Sequence, residues 1–332
     1  MKLVVVIPAL NEAPTIADVI EGVPREMDGV NQVDVVVVDD GSTDDTAELA
    51  RAAGAAVVSH SKPRGVGAAF RTGISAALER GAGLIVNIDA DGQFDPADLP
   101  ELARPILDGE ADVVTCTRFA RKDLAPKMPW AKRMGNRIVC AMVNGVTGQR
   151  LTDVSCGFRA YSRDVALRLN LFGDFTYTQE TFIQLAGEHA RIREVPLRVR
   201  GVRQFGRSRV ASNLFTYAAR SSAIMLRAAR DLNPMKFFGL PGLAVFLVGA
   251  GLGAFVMGHW LATGHTTPYS RVLIGSAVGL ILGFLLVVLA LIADMLGRQR
   301  QISEELLYLR RKQAAELAER TGTNRGPDEE PQ

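Results

Sequence analysis

The stretch Asn87–Pro96 reads NIDADGQFDP and follows GAGLIV, an apolar run that should dive into a core. Two carboxylates one residue apart, Asp89 and Asp91, stand where that run ends, and Asp95 follows. Carboxylates this close repel one another unless a cation or hydrogen-bond donors compensate. Hard divalent cations prefer oxygen ligands, and Mg²⁺ or Mn²⁺ takes one or two carboxylates together with substrate phosphates. A D-x-D at a strand end can turn one carboxylate to the metal and the other to sugar or ribose hydroxyls. Such a pair alone is common in loops and weak evidence. In its setting, the expected task is to hold a metal–diphosphate complex.

The elements that must position this chemistry follow from the pattern. Leu3–Ile7, Val33–Asp39, Ala55–Ser59, Leu84–Asp89 and Asp112–Thr117 read as short strands. Helical segments near Thr15–Val23, Asp44–Ala53, Gly67–Arg80 and Pro96–Leu107 alternate with them. This order predicts a mostly parallel sheet covered on both faces. In open α/β sheets, ligands bind in the crevice outside the carboxyl ends of the strands. Three strands end in IPALNE, VVDDGSTDD and NIDADGQ, so Asp39, Asp40, Asp89 and Asp91 are expected at one edge. Ser42 or Thr43 is expected to cap the second helix, with Asp44 and Asp45 in its first turn. Helical patterns recur at Trp130–Val146 and Thr178–Ala190, and RIREVPLRVR reads as a late strand. RGVGAAFRTG is no dinucleotide fingerprint. Its Gly65, Gly67 and Gly73 are expected to let a helix pack closely.

The chain has 332 residues, long enough for one large α/β domain and something extra. Its 38 basic and 36 acidic residues leave +2, so nucleic acid is not an expected partner. Cys116, Cys140 and Cys156 show no CxxC spacing and fit a reduced, cytosolic setting. His60, His189, His259 and His265 are scattered, which argues against zinc. MKLVVVIPAL is too short an apolar run for a signal peptide and reads as a first strand. Phe237–Met257 and Val272–Ala293 are charge-free runs of 21 and 22 residues. Each would span roughly 32 Å as a helix, the thickness of a bilayer core. Arg220, Arg227, Arg230 and Lys236 precede the first run, Arg298, Arg300, Arg310, Arg311 and Lys312 follow the second, and only Arg271 lies between. The positive-inside rule then puts both ends in the cytoplasm. Arg220, Arg227 and Arg230 share one face of a helical stretch, which predicts an interfacial helix on anionic membrane lipids. The expected organisation is a catalytic domain over 1–210, an amphipathic helix over 211–236, a transmembrane hairpin over 237–295, and a cytoplasmic helix with a disordered tail over 296–332. GAGLGAF would let helices associate closely, as in a homo-oligomer.

The motifs IPALNE, VVDDGSTDDT, RGVGAAFRTG, DADGQFDP, LTDVSCGFRAYSR and EVPLRVRGVRQFGRSRV occur in this order between Leu3 and Val210. Together they resemble the inverting GT-A glycosyltransferases of family two, and within it dolichol-phosphate mannose synthase and bacterial polyprenyl-phosphate glycosyltransferases. The resemblance implies a Rossmann-like GT-A fold, a nucleotide-diphosphate sugar donor, a polyprenyl or dolichyl phosphate acceptor, and Mg²⁺ or Mn²⁺. It implies that Pro8, Ala9, Asn11 and Glu12 line the nucleotide pocket and that Asp39 and Asp40 approach base and ribose. Asp89, Ala90, Asp91 and Gln93 would hold the donor diphosphate, with Asp89, Asp91 and Gln93 at the metal. Arg118, Arg133, Arg203, Ser208 and Arg209 match positions that meet acceptor or donor phosphates. Two departures stand out. Cys156 precedes GFR where the family more often has Ser, and Arg207 and Arg209 stand where Lys is common. Arg is a rigid bidentate phosphate binder and Lys a point charge, so contact geometry differs there.

A phosphate acceptor is already anionic near neutral pH, its second pKa being ~6. It can attack the anomeric carbon without a protein base, in one in-line displacement with inversion. A hydroxyl of a membrane-linked glycan would instead need a general base, for which Asp153 and Glu180 are candidates. A non-catalytic nucleotide-sugar-binding membrane partner is the remaining alternative, against which the intact DAD argues. No Q-x-x-R-W motif of a processive synthase is present. GDP-mannose is the favoured donor, and UDP-glucose is compatible.

Overall fold

Valine-rich strands with no polar face belong in the middle of a sheet covered on both sides. Leu3–Ile7 lie in β1 (Lys2–Ala9) and Val35–Val38 in β2 (Gln32–Asp39), all fully or nearly fully buried. The computed structural model describes residues 1–121, 123–126, 128, 130–170, 177–188, 190–200, 226–227, 230–231 and 233–323. The chain divides into two compact units, Met1–Ser221 with Glu305–Gln332, and Ser222–Glu304.

In the first unit, α1 (Ile16–Glu21), α2 (Thr46–Ala52), β3 (Ala56–Ser59), α3 (Val66–Glu79), β4 (Leu84–Asn87), α4 (Leu99–Leu107) and β5 (Val113–Thr117) follow the expected order. They continue into α5 (Trp130–Thr147), β6 (Arg159–Ser162), α6 (Arg163–Arg168), α7 (Thr178–Gly187) and β7 (Ile192–Pro196). The seven strands run β3-β2-β1-β4-β6-β5-β7. All pairs are parallel except those of β6, which runs antiparallel to β4 and β5. Because side chains alternate across a strand, Leu3, Val5 and Ile7 pack under one cover with α1 and α4. Val4 and Val6 pack under the other with α3 and α6.

Three expectations are corrected. β6 lies inside the GFRAYSR segment, which carries no long β-branched run and shows no strand signal, and α6 starts at its last residue. β4 ends at Asn87, so Asp89 stands on the following loop. Ser42 and Thr43 do not cap α2. Its N-cap position is Asp45, and both residues face the loop after β1 instead.

In the second unit a π-helical turn, Met235–Gly239, leads into α8 (Leu240–Thr263), and α9 begins at Ser270 and runs to Thr323. Both helices are long and apolar enough to cross a membrane. Only 17% and 11% of their most apolar stretches are buried, unlike the core helices of a soluble domain. Small residues set the contact between them: a Cβ on Gly249 would stand 2.7 Å from the Leu280 amide nitrogen, and Ser276 Oγ donates to Gly249 O at 2.7 Å. The helical pattern after the second span is a helix, as expected, and most of its residues are exposed. It continues α9 without a break, and its part from Glu305 onward belongs to the first unit. The proposed interfacial helix falls almost wholly outside the described residues.

Gly73 on α3 faces β1 and β2 so closely that a Cβ would overlap Val6 Cγ1 and stand 3.3 Å from Val38 Cγ2. Gly135 on α5 has nothing within 4 Å of such an atom. Gly73→Ala should therefore lower stability by about 1–3 kcal/mol through overpacking. Gly135→Ala should raise it by about 1 kcal/mol through helix propensity. Opposite shifts in thermal melts of the detergent-solubilised protein are the expected result.

Candidate active site

The chain passes from β1 outward through β2 to β3, then returns across β1 to β4, so the order of strands reverses between β1 and β4. A crevice outside the carboxyl ends at such a reversal is the usual ligand site of an open α/β sheet. Two loops border it, 10–15 after β1 and 88–95 after β4, and Thr15 Oγ1 ties them by donating to Ala90 O at 2.6 Å. Asn11 adopts φ 50°, a left-handed conformation that asparagine tolerates. Its Oδ1 accepts from the Thr43 amide at 2.8 Å, its own amide donates to Ser42 Oγ at 2.9 Å, and the Glu12 amide donates to Thr46 Oγ1 at 2.9 Å. The serine and threonines of GSTDDT thus brace the first loop against the turn that follows β2. Pro8 and Ala9 close β1 beside Asp39, in register with Ala9.

Asp39 is buried at this edge and accepts from the Ser42 amide at 2.9 Å. Asp40 is not brought to the crevice in the same way. Its Oδ1 meets His60 Nδ1 at 2.7 Å and the Arg64 amide at 2.9 Å, and Oδ2 accepts from the Gly65 amide at 2.8 Å. Both oxygens are taken up in closing the 60–65 loop at the start of α3, where Gly65 has φ 97°.

Asp89 and Asp91 do reach the crevice. Asp89 is half-buried and Asp91 buried, its Oδ1 accepting from the Gln93 amide at 3.0 Å across Gly92. Gln93 is also joined to the late segment of the chain: its Nε2 donates to Arg200 O at 3.1 Å and its carbonyl accepts from the Arg200 amide at 2.9 Å. Gly157 backs the first carboxylate. A Cβ there would lie 2.6 and 2.7 Å from the two Asp89 oxygens, so any side chain would push that carboxylate aside. Asn87, at the end of β4, fixes that glycine by donating from Nδ2 to Gly157 O and to Tyr177 Oη, both at 2.8 Å. Burial first, and the charge of Asp89 second, push the Tyr177 hydroxyl well above its ordinary pKa. It therefore stays a neutral partner. Asp95 turns away and caps the Pro96–Asp98 turn through the Ala97 amide at 3.0 Å.

Among the described residues no three His, Cys, Asp or Glu gather to hold a metal ion. Two hard carboxylate oxygens donors on one short loop, beside a glycine kept bare, nonetheless fit a divalent ion that completes its shell with phosphates and water.

The basic side of the crevice is organised by carboxylates. Arg118 follows β5 and grips fully buried Asp153 twice, Nε to Oδ2 at 2.5 Å and Nη2 to Oδ1 at 2.9 Å. Burial opposes the Arg118 charge, but Asp153 outweighs it and raises the guanidinium above its ordinary pKa. Glu194 of β7 accepts the Thr152 and Asp153 amides at 2.9 and 3.0 Å and holds the loop that carries Asp153. Burial pushes the Glu194 carboxyl upward. Arg133 is exposed in the first turn of α5. Glu180 is half-buried on α7. Arg203, Ser208 and Arg209 lie outside the described residues. Sequence reasoning passed over Asn87, Gly157, Thr15 and Glu194. A polar residue ending an apolar strand, and the glycine of GFR, were the available signals for the first two.

A seven-stranded mixed sheet with its strand order reversing between β1 and β4 is a GT-A-like α/β fold. Residues 4–169 match glycosyl transferase family 2, and the chain belongs to that family. Glycosyltransferase AglJ of Haloferax volcanii is 30% identical over 294 residues, covering 87% of this chain and 91% of that one. The polyprenol monophosphomannose synthase of Mycolicibacterium smegmatis is 30% identical over 176 residues, 51% of this chain and 65% of that one. The crystal structure of glucosyl-3-phosphoglycerate synthase from Mycobacterium tuberculosis with Mn²⁺, uridine diphosphate and glucosyl-3-phosphoglycerate superposes with TM-score 0.55 at 27% identity, over 69% of this chain and 80% of that one. The chain is therefore a GT-A-like glycosyltransferase.

Gly157→Ala should displace the Asp89 carboxylate by the width of a methyl group and cut turnover about 10²-fold. Nucleoside diphosphate release is the measurement. The cysteines should be inert: burial pushes the Cys140 thiol up to about 12, and burial with neighbouring Cys116 pushes Cys156 well above its usual value. Thiol alkylation at neutral pH should mark none of the three until the chain is unfolded.

Proposed function

We propose that the chain transfers a hexose from a nucleoside-diphosphate sugar to a polyprenyl or dolichyl phosphate, inverting the anomeric carbon. The observation that carries this reading is the Asp89–Asp91 pair at the reversal point of a family-two sheet, in a chain that also has two bilayer-length apolar helices. The similarity to a polyprenol monophosphomannose synthase supports the acceptor class and favours mannose as the sugar, with GDP as its carrier. UDP-glucose is the next donor to try. α8 and the first part of α9 would cross the membrane, and the arginines and lysines flanking them would keep the catalytic unit and both ends on the cytoplasmic side.

Pro8, Ala9, Asn11, Glu12 and Asp39 would receive the nucleotide, with the first loop held by Ser42, Thr43 and Thr46. Asp89, Asp91 and Gln93 would hold Mg²⁺ or Mn²⁺, which supplies Lewis-acid neutralisation of the donor diphosphate when bound. The acceptor phosphate oxygen forms the new bond to the anomeric carbon while the bond to the nucleoside diphosphate breaks, and the departing diphosphate keeps the electron pair. Arg133, Arg203, Ser208 and Arg209 would offset the repulsion between the two anions. Arg118 would present its remaining N–H groups from a position set by Asp153. Asp153 is poorly suited to act as a base, because both its oxygens already accept from Arg118. An acceptor that needs no base is consistent with that pairing.

The test gives the full chain, in proteoliposomes, polyprenyl phosphate, Mg²⁺ and radiolabelled GDP-mannose or UDP-glucose. Chelator-sensitive label in the lipid phase is expected, and Asp91→Asn should reduce it by about 10²–10³-fold. Label appearing only on an added glycan would move the acceptor to a hydroxyl, with Glu180 as the base to mutate. Donor binding without any turnover would sink the enzymatic reading.

A further inference from the structure

α3 links β3 to β4 and therefore runs antiparallel to the strands. Its C-terminal half lies toward their amino ends, at the edge opposite Asp89. There α3, α6 and the stretch Leu307–Ala315 of α9 border a cavity of about 730 Å³ that is half-open to solvent. Its frame is built from specific contacts. The Tyr308 hydroxyl donates to Asp164, and the Arg168 guanidinium lies 3.7 Å over the Tyr308 ring and pairs with Glu305 at 3.1 Å. Arg311 Nη1 donates to the carbonyls of Leu167 and Leu169, both at 3.0 Å.

The walls combine two chemistries. Ile74, Leu78, Leu169 and Leu307 give an aliphatic lining. Arg71, Arg80, Arg163 and Arg311 stand around it against a single acidic residue, Glu79. Among the described residues, neither Arg80 nor Arg311 has a carboxylate at ion-pair distance; the hydrogen bonds they make go to carbonyls. Burial lowers the Arg311 pKa, as expected of a cation drawn partly out of water without a counter-ion. The one aromatic in the lining, Phe70, is fully buried, so no flat platform is offered to a base. Guanidinium groups match phosphate oxygens in a bidentate manner, and leucine and isoleucine walls match an alkyl chain.

We propose that this cavity binds one acidic glycerophospholipid, its phosphate against Arg80 and Arg311 and an acyl chain along Ile74, Leu78, Leu169 and Leu307. Arg80 and Arg311, whose hydrogen bonds among the described residues go to carbonyls, call for an anionic headgroup. A chain with two bilayer-length apolar helices has such lipids at hand. The site is distinct from the acceptor site, because it sits at the other edge of the sheet. Its occupant would fasten the Leu307–Ala315 stretch to α3 and α6.

The full chain in nonionic detergent should melt several degrees higher with phosphatidylglycerol than with the same amount of phosphatidylcholine or inorganic phosphate, and native mass spectrometry should retain one phosphatidylglycerol per chain. Ser75 lines the cavity from an exposed position, so Ser75→Trp fills it without touching the core. Ser75→Trp and Arg80→Gln should each abolish the difference between the two lipids while melting normally without lipid. Equal shifts with phosphatidylcholine would overturn the proposal. So would a full shift with inorganic phosphate alone, or displacement of phosphatidylglycerol by polyprenyl phosphate at equal concentration. A folded Ser75→Trp variant that keeps the phosphatidylglycerol shift would place the lipid elsewhere and overturn it as well.

Discussion

A buried strand can deliver two carboxylates into a crevice only if the strand itself cannot move. β4 is four residues long and wholly buried, with β1 parallel on one side and β6 antiparallel on the other. The direction of β6 matters most. An antiparallel strand begins where its neighbour ends, so Gly157 and the 151–155 loop arrive at the carboxyl edge of β4. Asn87 stands opposite Arg159 in register, and from there bonds the carbonyl of Gly157. The glycine in turn leaves just enough room for the Asp89 carboxylate. A parallel strand in that position would have sent the same loop to the far side of the sheet.

Electrostatics at this edge is organised in alternating signs. Glu194 holds the amides of Thr152 and Asp153, Asp153 holds Arg118, and Arg118 opens onto the crevice side of β5. The pair adds no net charge, so its value lies in fixing a guanidinium fork, not in attracting anions from afar. Asp153 is fully buried, and losing its partner would strand a charge out of water. Among the described residues Arg133, exposed on the first turn of α5, has no such carboxylate clamp, and under the proposed function its charge would be left to meet a phosphate.

The parts legible in the sequence were those where one physical signal acts alone. Continuous valine runs marked β1 and β2, uncharged runs of more than twenty residues marked α8 and α9, and the apolar run before D-x-D marked β4. Legibility failed where tertiary contacts reassign a residue. Ser42 and Thr43 have the chemistry of helix caps, yet the left-handed turn at Asn11 offers their oxygens and amides a competing partner. Asp40 looks equivalent to Asp39 one residue away, but it lies past the end of β2, where the amides of the 60–65 loop consume its carboxylate. β6 was invisible because RAYS has an arginine at a buried position. Arg159 is accommodated there by Thr181 Oγ1 at 2.6 Å, Val154 O at 3.2 Å and the face of Phe182 at 4.0 Å, none of which its own segment announces.

The long α9 shows the same principle in one element. Its first part presents an uncharged surface, with Ile281 and Leu285 exposed, while Glu305 onward is charged and packs against α6. Sequence pattern separates these stretches clearly, yet nothing breaks the helix between them, since Gly297 alone costs only about 1 kcal/mol relative to alanine. Magnitudes also say which contact holds the second stretch in place. The Arg168–Glu305 pair is largely exposed and worth roughly 0.2–1 kcal/mol. Tyr308 is 5% exposed, so its ring is nearly all removed from water, and a buried aromatic of that size contributes about 1.5–3 kcal/mol. The ring, capped by Arg168 and anchored through its hydroxyl to Asp164, is therefore the main fastening, and the charges around it set its orientation.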